Sequence, residues 1–166
     1  ISTFPEFNVR TYVKKDGIPG VFFLTLEAKS MITCSYATKA YGLPYNYAKG
    51  KVISNDNTVS WHSQRKSGDM GLSGSTTISG PKSRAQQGSL EEFLFERYSL
   101  YTSKGGSIMR GYTHHEPWEF CSAEVVLTDN SLTESFDFGI ADHSTPDLTH
   151  YSDGVYVRTY SIEMSE

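Results

Sequence analysis

Phe4-Pro5-Glu6-Phe7-Asn8-Val9-Arg10-Thr11-Tyr12-Val13 alternates apolar and polar residues, and its reading decides the fold class. Period-two alternation predicts a strand with Phe7, Val9, Thr11 and Val13 on one face and Glu6, Asn8, Arg10 and Tyr12 on the other. Residues 14–20 carry Asp16-Gly17 and predict a turn. Val21-Phe22-Phe23-Leu24-Thr25-Leu26 is nearly continuously apolar, which predicts a strand covered on both faces. The pair reads as an antiparallel hairpin. Four polar residues in a row on one strand face mean that this face is wet. It is either outer surface or the lining of a polar cavity. An inward Arg10 would need a carboxylate partner or a bound anion, because an unpaired buried charge is costly.

Residues 28–41 predict a helix capped by Ser30, with a rough apolar stripe of Met31, Cys34 and Tyr41 flanked by Ile32 and Tyr36. Gly42-Leu43-Pro44 then forms an elbow, since Gly42 can adopt positive φ and Pro44 cannot continue a helix. Such an elbow presents Tyr45 and Asn46 at a defined place. Strands follow at 51–54 and 58–65, with a weaker one at 71–79. Ser89-Leu90-Glu91-Glu92 is a capping box that opens a helix over 90–97. Lys104-Gly105-Gly106 joins strands at 98–102 and 107–115, and 119–127 is extended. Asp129-Asn130 can cap a short helix over 131–136, and the tail holds two strand-like runs around Ser152-Asp153-Gly154. Strands dominate, helices are few and short, and no repeat is visible.

At 166 residues the chain is expected to form one domain, 1–166, with a core that needs neither disulfide nor metal. A net charge of −4 argues against a nucleic-acid partner. No apolar run approaches the ~20 residues of a membrane span. Cys34 and Cys121 are too few for a disulfide framework and too isolated for zinc, so a reducing, cytoplasmic setting is the default. His114-His115-Glu116-Pro117-Trp118 is a weak metal signal, because neighbouring strand residues point to opposite faces. A hydrogen-bonded structural histidine beside the Pro-Trp turn is the better reading, with His114 retained as a candidate acid or base. Arg97 at a helix-to-strand junction reads as a structural anchor. Gly-x-Ser-x-Gly and phosphate-loop patterns are absent.

The run 4–13, then 20–26, resembles the opening of the YqjF-like family of uncharacterised bacterial proteins. Gly42-Leu43-Pro44-Tyr45, residues 89–101, His114-His115-Glu116-Pro117-Trp118, Ala123-Glu124-Val125 and Tyr151-Ser152-Asp153-Gly154-Val155 resemble its later motifs. Members usually carry several dozen residues before the Phe-Pro-Glu run, so the resemblance implies a chain lacking its front. The opening Ile1, in place of Met, fits that expectation. The family in turn resembles acetoacetate decarboxylase. This implies a mainly β, β-rich α+β fold: an antiparallel, closed, cone-like barrel around a cavity, with two or three short helices outside. The decarboxylase pattern places a glutamate on the first strand and two lysines after the elbow proline. Laid on this chain the glutamate falls at Glu6 and the lysines at Tyr45 and Asn46. A phenol and an amide cannot form a Schiff base, so acetoacetate decarboxylase activity is not expected.

Three functions are therefore weighed. The first is binding of a small organic molecule, with Arg10 contacting a carboxylate or carbonyl, Tyr12, Tyr45 and Asn46 supplying hydrogen bonds and Glu6 orienting Arg10 or accepting from the ligand. The second is an enzyme of hydratase, isomerase or hydrolase type, without a Schiff base, using Glu6 or His114 as base and Tyr45 as acid or oxyanion donor. The third is a structural scaffold. No cofactor or metal is expected, the expected partner is a small molecule, and a homo-oligomer is open.

Overall fold

In a computed structural model, which describes residues 4–139 and 145–164, strands carry the architecture. The order is β1 (Glu6–Lys15), β2 (Ile18–Ala28), α1 (Met31–Tyr41), β3 (Tyr45–Asn55), β4 (Thr58–Arg65), β5 (Gly71–Ile78) and β6 (Ser83–Arg84). Then come α2 (Leu90–Phe95), β7 (Ser99–Lys104), β8 (Ser107–His114), β9 (Glu119–Asp129), α3 (Ser131–Glu134), β10 (His150–Tyr151) and β11 (Arg158–Met164).

β2 is the trunk. β1 pairs with it antiparallel along its whole length, as the hairpin pattern predicts. Its other edge is divided lengthwise between two parallel partners. β7 takes Val21 and Phe22, and β3 takes Leu26 to Ala28. Two arms leave from there: β7-β8-β11, and β3-β4-β5-β9 with β10 at its end. The expected closed barrel is corrected at this point. Among the described residues no ladder joins β10 to β11, so the sheet is strongly branched but open. The expectation of an antiparallel sheet is likewise modified by the two parallel ladders on β2.

The register of the hairpin explains the unbroken apolar run in β2. Val9 faces Thr25 whereas Arg10 faces Phe23, so Leu24 is an extra, bulged residue. The bulge shifts the alternation by one. Val21, Phe23, Leu26 and Ala28 share a face with Glu6, Asn8 and Arg10, while Thr25 and Glu27 turn to the opposite side. On that side Phe7 meets Trp61 of β4 with ring centroids 6.2 Å apart, and the Trp61 indole donates to Thr76 Oγ1 at 3.0 Å. Glu27 is 2% exposed there and is held by Arg65 of β4, through Nη2–Oε1 at 2.6 Å and Nε–Oε2 at 3.2 Å.

α1 begins where Ser30 Oγ accepts from the Thr33 amide and ends at Gly42, whose φ of 70° is left-handed. The predicted apolar stripe is not its buried side. Met31 is 66%, Ile32 84% and Tyr36 62% exposed, and of the helix only Ala37 is buried. Gly42, which ends the helix, is pressed onto the β7 backbone. A Cβ at Gly42 would stand 2.7 Å from the Ser103 carbonyl oxygen. Gly42→Ala should therefore lower the urea-unfolding free energy by at least ~1–2 kcal/mol, combining left-handed strain with that clash. Gly17→Ala, equally left-handed at φ 79° but with open space around it, should show only the strain.

Candidate functional site

The polar face of β1 lines a cavity of about 760 Å³. Its floor is β1 and β2, with Leu100 of β7 beside them. Opposite stand Leu94 and Phe95 of α2, Arg97, His115, Trp118 and Phe120. β10 contributes His150 and Tyr151, and the end of α1 contributes Tyr41. The walls are thus largely aromatic and aliphatic, with a few polar groups at fixed places, the usual make-up of a small-molecule site.

Two polar clusters stand out. The first lies where β1 begins and the elbow ends. Tyr45 is the first residue of β3, and its hydroxyl donates to Glu6 Oε2 at 2.7 Å. Glu6 as a residue is exposed, but its carboxyl end turns toward the cavity. Burial raises its pKa above the ordinary carboxylate value, against the opposing hydrogen bonds from Tyr45 and Asn8. Burial pushes the Tyr45 phenol up as well, and the neighbouring Glu6 charge and hydrogen bond add to this. Tyr45 consequently stays protonated across the physiological range and acts as a donor.

The second cluster lies further along β1. Arg10 and Arg97 both line the cavity and both stand near the ring of Tyr12, with guanidinium carbons 5.8 and 5.7 Å from its centroid. Neither is paired with a carboxylate among the described residues. Arg97 lies over Phe93 at 4.4 Å, donates from Nη1 to the Glu96 carbonyl at 3.0 Å, and keeps a buried Nε with no partner. Among the described residues, the hydrogen bonds of Arg10 are long, to Tyr12 Oη at 3.4 Å and the Leu94 carbonyl at 3.5 Å. Donors in this state are poorly satisfied by the protein itself, the condition a bound anion relieves.

The candidate residues therefore divide. Glu6, Arg10 and Tyr45 line one cavity. Tyr12 supports from behind: its hydroxyl donates to the Leu94 carbonyl at 3.1 Å and its ring lies 4.8 Å from that of Phe93. Asn46 points away, because successive strand residues alternate. Its amide donates to Thr25 Oγ1 at 3.0 Å, inside the Glu27–Arg65 network. His114 is exposed on β8 opposite Arg158 and lies outside the lining, whereas its neighbour His115 is 5% exposed and inside it. His115 is stacked on Tyr98 at 4.6 Å, meets Trp118 edge-on, and donates from Nδ1 to the Glu116 carbonyl at 2.8 Å. It is the hydrogen-bonded histidine of the Pro-Trp turn, one position later than the candidate. The reading of Arg97 as a structural anchor accounts for its Glu96 contact but misses its place in the cavity. Its signal was the Arg-Tyr junction after a capped helix. His150, packed edge-on against Phe95 and Phe120, carried no sequence signal at all. Among the described residues no cluster of His, Cys, Asp or Glu has the arrangement of a metal site.

Over residues 1–156 the chain matches DUF2071, a family described as an uncharacterized conserved protein. It is 34% identical over 151 residues to the uncharacterized protein YqjF of Bacillus subtilis (strain 168), covering 90% of this chain and 61% of that protein. Acetoacetate decarboxylase from Legionella pneumophila superposes with a TM-score of 0.54 at 12% identity, over 97% of this chain and 63% of the decarboxylase. The enduracididine biosynthesis enzyme MppR, solved in complex with pyruvate, gives a TM-score of 0.56 at 11% identity, over 97% of this chain and 64% of MppR. At these identities the likeness to the two enzymes is one of fold. The chain spans less than two thirds of each of these relatives.

Proposed function

The chain belongs to the DUF2071 family of uncharacterised conserved proteins, and from that premise we propose that it binds a small organic anion in the cavity without Schiff-base chemistry. The observation that carries this reading is the pair Arg10 and Arg97, which line an aromatic-walled cavity with no carboxylate partner among the described residues. A carboxylate seated there would accept from an Arg97 guanidinium already held over Phe93 and by the Glu96 carbonyl, so little ordering of that group remains to oppose binding. A fold neighbour solved with pyruvate is consistent with a small acid as the ligand class. No lysine is among the residues that line the cavity.

Trp118 in the wall supplies an intrinsic reporter. Titration of the protein with hexanoate, pyruvate and acetoacetate should give saturable quenching with at least one of them. Arg97→Ala and Arg10→Ala should each weaken that binding by about 10- to 100-fold, the worth of one charge-assisted contact. Arg84→Ala, which removes an exposed pair with Glu119, should leave it unchanged. Quenching that is indifferent to both cavity arginines, or absent with all three acids, overturns the proposal.

A further inference from the structure

The two polar clusters have opposite character and share one strand face. Glu6 with Tyr45 offers a hydrogen-bond-accepting carboxylate, and Arg10 with Arg97 offers donors only. Glu6 and Arg10 are four residues apart on β1, which separates their Cα atoms by ~13 Å. Between them on β1 lies Asn8, which also lines the cavity, and the β2 half of the floor beside it is apolar. Across the ladder Asn8 faces Leu26 and Arg10 faces Phe23, and both of these β2 side chains line the cavity. The bulge at Leu24 is what keeps both on this side.

A ligand that satisfies the arginines with its carboxylate therefore runs past Asn8 and over Phe23 and Leu26 toward a second, acidic station. Resting on the anion-binding reading above, we propose that the cavity selects elongated ω-amino acids: a carboxylate at Arg10 and Arg97, an apolar middle of about four to six carbons, and a distal ammonium at Glu6. Strand side chains stand roughly perpendicular to the sheet, so the two stations lie about as far apart as their Cα atoms, and a chain ~7–9 Å end to end with a hydrogen bond of ~3 Å at each end spans that gap. Tyr45 and Asn8 each donate one hydrogen bond to Glu6, and a carboxylate with about four acceptor sites keeps capacity for the ligand beside them. A purely apolar tail would instead cover the Glu6 carboxyl without pairing it, which costs binding energy. Discrimination thus comes from what the wrong ligand leaves unsatisfied as much as from what the right one gains.

The test compares three ligands of equal length on the intact protein by calorimetry: 6-aminohexanoate, hexanoate and hexylamine. The expected order is 6-aminohexanoate tightest by about tenfold over hexanoate, with hexylamine weakest. In Glu6→Gln the preference for the amino acid should fall to near unity while hexanoate binds as well as before or better, which also certifies that the variant is folded. Tyr45→Phe should reduce the preference partially, because it frees Glu6 to rotate. Hexanoate binding equal to or tighter than 6-aminohexanoate overturns this inference and leaves the anion site standing. A preference that survives Glu6→Gln overturns it too. Failure of both acids to bind removes the anion site and this inference together.

Discussion

Arg65→Met should destabilise the fold by about 3–5 kcal/mol in urea unfolding, a large part of the stability of an ordinary domain. Glu27 is 2% exposed and has three anchors: both Arg65 nitrogens, and the Thr25 hydroxyl, which donates to Oε1 at 2.6 Å. Arg65 is itself only partly exposed, at 21% of its side chain, so water replaces little of what the substitution removes. The cost therefore comes from stranding a carboxylate rather than from losing an attraction. The control follows directly. Glu27→Leu combined with Arg65→Met removes both charges and should recover most of the loss, since a buried pair replaced by apolar groups is often neutral. Arg84→Met breaks an exposed pair and should cost under about 1 kcal/mol. If Arg65→Met costs no more than Arg84→Met, the pair is not the structural tie between β2 and β4.

That tie shows how far the sequence could be read. The hairpin, the elbow, the Ser30 and Ser89 caps and most strands were legible because each is written in local signals: alternation, Gly and Pro at turns, a hydroxyl before a helix. The capping box even folds as expected, although Glu92 reaches the Gly88 amide at 2.6 Å rather than that of Ser89. The polar face of β1 was legible as a face. Its meaning was not, since wet surface and polar cavity share one pattern. The Leu24 bulge was hidden because a continuous apolar run has no parity to lose. With it were hidden the burial of Glu27 and its distant partner, a pairing 38 residues away in the chain. The exposed Met31, Ile32 and Tyr36 mislead in the opposite way, for apolar spacing on a helix predicts a buried face only where something is there to cover it.

Alternation also decides a question of chemistry at the elbow. Incubated with acetoacetate and sodium borohydride, the protein should gain no covalent mass. Imine formation needs an unprotonated amine inside the cavity, and no lysine is among the residues that line it. Lys49 and Lys51, the nearest in sequence, are exposed on β3 opposite Gln64 and His62. The two elbow positions are not equivalent. A lysine at 45 would enter the cavity where the Tyr45 hydroxyl now meets Glu6, whereas one at 46 would enter the Thr25–Arg65 network on the other face. Asn46→Lys should thus trap nothing. Tyr45→Lys should trap weakly, because the Glu6 carboxylate beside it holds the ammonium protonated. Tyr45→Lys with Glu6→Gln removes that counter-charge, leaves desolvation to lower the amine pKa, and should give the largest adduct, located by peptide mapping at residue 45. An adduct on Lys49 or Lys51 of the unaltered protein would overturn the assignment of this cavity as amine-free, and equal trapping at 45 and 46 would overturn the geometry from which it follows.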